Sequence, residues 1–199
     1  DYFPEDWKEF SFICNFQLDD SRRYEQFLEN SLNTKGEGGV LLKKDAEEFY
    51  RDQTKSFGIS TTGWAWNSKF ADLDNDEWQD LYVANGYLFK PIQETNIFYR
   101  NLQGKTFEDF TKKTGLENYL PTSSYSYVDY DLDGDLDIIT GTSVGPVFVS
   151  RNENHANQSV AITLRDERGN IHGIGSKITI YYADGRHQMR EIISGGGYK

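Results

Sequence analysis

Residues 129–137 carry Asp129, Asp131, Asp133, Asp135 and Asp137, at positions one, three, five, seven and nine of one short run, with Gly134 at position six. Carboxylates so close repel one another unless a cation compensates them. Hard cations such as calcium take six to eight oxygens at about 2.3–2.6 Å, and alternate residues of a tight loop aim several carboxylates at one centre. Gly134 is free to take a positive φ, a turn that brings the carbonyl of position seven into the shell. A second run repeats the spacing with Asp72, Asp74, Asp76 and Asp80 at positions one, three, five and nine. There Glu77 stands at position six, where a left-handed backbone would cost about 1 kcal/mol. Asp is also an ordinary turn former, and a single Asp-x-Asp pair would mean no more than that. Two copies in register mean more. An EF-hand would place Glu at position twelve between two helices; Val83 and Thr140 stand there instead, each in a strand-like run, so that reading fails.

The elements that must position these loops also repeat. A shift of 57 positions carries Asp72 onto Asp129 without a gap, and with it Tyr50, Asp52, Thr54, Lys55, Gly58, Ile59 and Phe70 onto Phe107, Asp109, Thr111, Lys112, Gly115, Leu116 and Tyr127. Each acidic run leads into an apolar strand, residues 81–84 and 138–140. Residues 96–101 are echoed by 147–152. Short strand candidates separated by Gly, Pro, Asn and Asp clusters predict a sandwich, barrel or propeller, and a self-similar period of this size marks a repeat architecture. Helical signal is confined to the front, where Asp19, Asp20 or Ser21 would cap a helix presenting Tyr24, Phe27 and Leu28 on one face. After Asn152 the repeat ends. Residues 159–165 alternate as a strand, and two further alternating runs flank Asp184 and Gly185, a strong hairpin signal.

Composition bounds the function classes. The 199 residues hold 32 acidic and 21 basic side chains, a formal charge of -11, and no basic patch, which points away from nucleic acid. With a mean hydropathy of -0.72, no stretch approaches the ~20 apolar residues of a spanning helix, so no membrane span is expected. The 13 Phe, 13 Tyr and 4 Trp suffice for a core. Cys14 stands alone and excludes an internal disulfide framework. The ten acids of the two loops, Glu77 included, account for nearly all the negative charge: without them the formal charge would be -1.

Taken with residues 96–101, residues 106–111, Gly115 and Leu116, the acidic loops resemble FG-GAP/VCBS repeats, the calcium-loop blades of integrin-like β-propellers. The resemblance implies ligands from the side chains at one, three, five and nine and the carbonyl at seven: Asp72, Asp74, Asp76, Trp78 and Asp80, then Asp129, Asp131, Asp133, Asp135 and Asp137, two calcium sites in all. Asn33 and Gly36, set like Asn101 and Gly104, suggest an earlier blade ending there. Residues 169–175, Gln188 to Glu191 and residues 195–198 resemble the ASPIC/UnbV domain that follows such propellers in the cartilage acidic protein family. The expected fold is all-β: an N-terminal segment 1–32 with a short helix, partial-propeller blades over 33–152, and a truncated, hairpin-rich ASPIC/UnbV module over 153–199. The chain is expected to be a C-terminal fragment of a longer protein.

The function this implies is an extracellular, secreted or cell-surface, calcium-binding module with structural metals, serving cell adhesion or the binding of a protein or carbohydrate ligand. Millimolar calcium outside the cytosol would fill such loops. The alternative is a carbohydrate-active lyase or dehydratase on the same repeats, which would need a general acid and base in one cleft. His155, His172 and His187 all follow the repeats, and neither His172 nor His187 has a Glu or Tyr at a pairing spacing, so no catalytic residue is assigned. Trp64 and Trp66 read as blade packing ahead of ligand stacking. Asn157 and Ser159 form a glycosylation sequon.

Overall fold

The computed structural model describes residues 10–13, 39–46, 49–59, 62–86, 94–154, 156–167 and 169–194. The predicted helix over 22–28, Asn33, Gly36, His155 and residues 195–198 lie outside them. The described residues are nearly all β, arranged as several small antiparallel sheets, as the sequence predicts.

Strands β1 (Phe10–Ile13), β2 (Val40–Lys44) and β3 (Tyr50–Asp52) form the first sheet. The second runs in the order β4 (Ala65–Ala71), β5 (Asp80–Asn85), β6 (Ile97–Asn101), β7 (Phe107–Asp109), and a one-turn helix α1 (Thr111–Thr114) follows it. The third contains β8 (Thr122–Val128), β9 (Asp137–Thr142) and β10 (Phe148–Ser150). Strands β11 (Lys177–Tyr181) and β12 (His187–Glu191) pair as the expected hairpin, with Tyr181 opposite His187 and Gly185 at φ 88° in the turn. The strand expected over 159–165 is absent. Val160 and Ile162 are exposed there, and among the described residues no strand pairs with this stretch, so its backbone lacks the ladder that alternation alone cannot supply. β1 is a strand for which the sequence offered no motif.

The repeat is structural. The starts of β2, β3, β4 and β5 each recur 57 residues later in β6, β7, β8 and β9. A repeat therefore begins in the last strands of one sheet and ends in the first strands of the next, which ties neighbouring sheets together covalently. Side chains mark the joints. Asp52 accepts hydrogen bonds from the Thr54 N–H (2.9 Å) and hydroxyl (2.6 Å), and the Thr54 hydroxyl oxygen accepts the Leu41 N–H at 2.9 Å. Asp109, Thr111 and Phe98 repeat the arrangement at 2.9, 2.6 and 2.9 Å.

The second sheet is buried on both faces. Leu81, Val83, Tyr99 and Phe107 pack toward Leu41 and Ile59, while Tyr82, Ala84 and Phe98 pack against Tyr125 and Ile138 of the third sheet. This explains why β5 reads as a continuous apolar run: each side chain meets core whichever way it points. Tyr125 meets Tyr82 edge-on at 4.9 Å between centroids, and its hydroxyl donates to the Tyr82 carbonyl at 2.7 Å.

Candidate metal centre

Each acidic loop joins one edge strand of its sheet to the inner strand beside it: β4 to β5 for the first loop, β8 to β9 for the second. Both adopt one backbone path. Asn75 (φ 54°) and Glu77 (φ 79°) are left-handed in the first loop, and Leu132 (φ 62°) and Gly134 (φ 96°) in the second. Glu77 thus occupies the conformation that glycine relieves at the matching position, as the sequence comparison required.

Hydrogen bonds within the loops also match. Asp72 accepts from Glu77 N at 2.9 Å, as Asp129 does from Gly134 N at 3.1 Å. Asp72 also accepts from Asp76 N at 3.0 Å. Asp76 accepts from Trp78 N at 2.9 Å, as Asp133 does from Asp135 N at 3.0 Å. At position nine the carboxylates are fully buried. Asp80 accepts from Leu73 N (3.1 Å) and Asn101 N (2.8 Å); Asp137 accepts from Tyr130 N (3.1 Å) and Asn152 N (2.7 Å). Position nine therefore clamps the start of its own loop to the end of the following strand region.

Oxygens of Asp72, Asp74 and Asp76 lie within 4.8 Å of one another, and so do oxygens of Asp129, Asp131 and Asp137. Two oxygens on opposite sides of a calcium ion would be about 4.8 Å apart, so both triads have the right span. Each brings together three of the four expected carboxylates. Asp80 stands outside the first triad, both its oxygens engaged with backbone N–H groups, and Asp133 stands outside the second. Trp78 and Asp135 occupy position seven; the Asp135 side chain is buried and accepts from the Asn75 amide at 2.7 Å, joining the two loops.

Electrostatics separate the loops. Burial pushes the Asp72 carboxyl up to about 6, with Asp76 adding repulsion and the Glu77 N–H and Arg190 opposing it. Burial pushes Asp80 up to about 8 against the bonds from Asn101 and Leu73. Asp76 is raised by burial too, opposed by the Trp78 N–H. Arg100 sits 2.5 Å from an Asp74 oxygen and 3.4 Å from Asp76. Its counterpart Arg151 is 3.8 Å from Asp131. In the second loop, Asp129 Oδ1 is buried and takes no hydrogen bond from the described residues. A buried carboxylate oxygen without a donor is costly, and a cation bound by Asp129 through that oxygen would satisfy it. The donor set of both loops, all hard oxygen, fits calcium or a similar ion.

The sequence motifs passed over the residues that surround the acids. Arg100 with Asn101 and Arg151 with Asn152 stand in the two echoed segments, which was the available signal, but nothing in their types revealed what they grip. Asn101 donates to Gln79 O at 2.9 Å and Asn152 to Leu136 O at 3.2 Å, matching sites before position nine. Asn152 also reaches Leu73 O at 2.6 Å, and Asn154 and Asn157 both reach Asp74 O, at 3.1 and 2.8 Å. The sequon asparagine is therefore a tether between the C-terminal stretch and the first loop. His172 is exposed in its turn and His187 lies beside Tyr181, ring centroids 5.7 Å apart. Trp66 donates its indole N–H to the Gly86 carbonyl, a packing role.

Comparison with curated proteins finds no match for the chain. Residues 166–199, which contain the β11–β12 hairpin, match the family model described as ASPIC and UnbV, the identity expected for this segment.

Proposed function

We propose that this chain is a calcium-stabilised module of the β-propeller type, secreted or at the cell surface, in which two structural ions brace repeated FG-GAP/VCBS blades that precede an ASPIC/UnbV module. The observation that carries this reading is the pair of matching acidic loops, each with three carboxylate oxygens within 4.8 Å; in the second, Asp129 also has a buried oxygen with no donor among the described residues. Asp72, Asp74, Asp76 and Asp80 would hold the first ion and Asp129, Asp131, Asp133 and Asp137 the second, with the carbonyls of Trp78 and Asp135. The bound ion supplies positive charge that cancels carboxylate repulsion and links the loop's start to its end. Asp80 and Asp137 carry that constraint into the sheets, because each also holds the N–H of Asn101 or Asn152. Recognition of a protein or carbohydrate ligand then falls to exposed loops on a scaffold the ions keep rigid.

Ligand that binds only the folded state stabilises it by about 2.7 kcal/mol at a hundredfold excess over Kd. At roughly 2–4 °C per kcal/mol for a chain of this size, calcium should raise the melting temperature by about 5–10 °C per filled site. Chelator should reverse the rise. A melting curve indifferent to both calcium and chelator would refute the metal reading, and a glycan and protein array with the calcium-loaded chain tests the binding role.

A further inference from the structure

The two loops are not neutralised alike. Among the described residues, the second loop's acids meet one guanidinium, Arg151, at 3.8 Å from Asp131. The first loop's acids meet Arg100 at 2.5 Å, and also Arg186 from the C-terminal hairpin. Arg186 forms an ion pair with the Glu77 carboxylate, its second Nη lying 3.3 Å from the other oxygen. Gln188, two residues on and within β12, donates to the Glu77 carbonyl at 3.3 Å. Arg190, two residues on again, carries a positive charge that opposes the rise of the Asp72 carboxyl. Arg186, just ahead of β12, and Gln188 within it are alternate residues, so their side chains leave the backbone on one side and reach one loop. Glu77, the residue that breaks the glycine pattern and holds a left-handed backbone, is the point of attachment for both Arg186 and Gln188.

We propose that the leading end of β12 is a latch on the first acidic loop: Arg186 and Gln188 grip Glu77 and bring positive charge there, so that hairpin docking and cation binding at this loop oppose each other. The proposal rests on the calcium reading for its second half only. The physics is competition for the same negative charge. A divalent ion at Asp72, Asp74 and Asp76 offsets the negative charge that draws the hairpin arginines to this loop and repels Arg186 on the neighbouring Glu77. Two-stranded hairpins are marginal alone, so the protection of β11 and β12 reports whether the latch is closed.

Hydrogen exchange of residues 177–191 in the full chain reads it directly. Without calcium, Glu77→Arg should speed exchange of the hairpin amides by about two- to fivefold, the scale of one exposed ion pair, and Glu77→Arg combined with Arg186→Glu should restore most of the protection. With the wild-type chain, calcium should speed exchange there about fivefold, a modest coupling, while leaving β9 protected; Arg186→Gln with Arg190→Gln should tighten the weaker of two calcium affinities in titration calorimetry. Hairpin protection unmoved by Glu77→Arg overturns the latch. Calcium that binds without loosening the hairpin overturns the competition alone, whereas an absence of heat in the titration overturns the competition together with the calcium reading.

Discussion

Asp80 and Asp137 do work that their spacing alone does not disclose. As ninth-position acids they were expected to be ligands; buried, with each carboxylate accepting two backbone N–H groups, they are also the joints between loop and sheet. Asp129 differs, because one of its buried oxygens meets no donor among the described residues. Replacing it should therefore act in opposite directions under two conditions. Asp129→Asn removes a negative charge from a repelling cluster, so in chelator the melting temperature should hold or rise by a degree or two. In calcium the same variant should forfeit most of the increment from the second site, about 2.7 kcal/mol at a hundredfold excess. Differential calorimetry in both buffers checks this; a loss of equal size in chelator and calcium would make Asp129 a packing residue instead. The raised carboxyls of Asp72, about 6, and Asp80, about 8, give a pH dependence of defined sign. A folded-state value above the ordinary carboxylate range means that the folded chain holds the proton more tightly than the unfolded one. That contribution is full below about pH 4 and lost as pH rises, through about 6 for Asp72 and about 8 for Asp80. Ion-free protein should accordingly lose stability from these groups between pH 4 and 8. Calcium displaces the same protons, so its stabilising increment should grow across that window, as melts at stepped pH with and without chelator would measure.

Among the elements, the recurring Asp-x-Thr joint after β3 and β7 does the work of a cap and a strand tie together. Thr111 accepts the N–H of Phe98 and donates to Asp109, and Thr54 treats Leu41 and Asp52 alike. Thr111→Val keeps the shape and removes the acceptor, stranding the Phe98 N–H in a buried position. The cost should be about 1–3 kcal/mol, a fall of roughly 2–12 °C in melting temperature, and Thr54→Val should cost a similar amount; a loss below half a degree in either would remove the joint from the account. This joint also shows what a sequence of this kind discloses. The residues that superpose under a 57-residue shift, Asp52 on Asp109 and Thr54 on Thr111, do so because each makes a local bond within a few positions, and local bonds leave a fixed spacing. The loops and β5, β9, β11 and β12 were legible for the same reason. Long-range partners leave no spacing. Arg100 meets acids 24 and 26 residues away and Arg186 meets Glu77 across 109, distances along the chain that no pattern encodes. Residues 159–165 carry strand alternation, yet a strand also needs a neighbour, which composition cannot promise.

At the scale of the molecule, the stack of sheets and the charge on it respond to ions in separable ways. The sheets are joined mainly by apolar contact, with the second buried between the other two, a term that salt changes little at moderate concentration. The formal charge of -11 is different, because ten of the acids sit in two loops. Two divalent ions would bring it to -7. Monovalent salt screens repulsion at a distance of about 10 Å at 0.1 M, so raising sodium chloride from low to moderate concentration should stabilise the ion-free protein. Once calcium fills the loops, most of that local repulsion is gone, and the same salt should do little or should cost stability by competing for the ion. Melting temperature against sodium chloride should therefore slope upward in chelator and lie flat or slope downward in calcium. Parallel upward slopes in the two series would mean that the excess charge acts from the whole surface, and would detach the acidic loops from the stability of the fold.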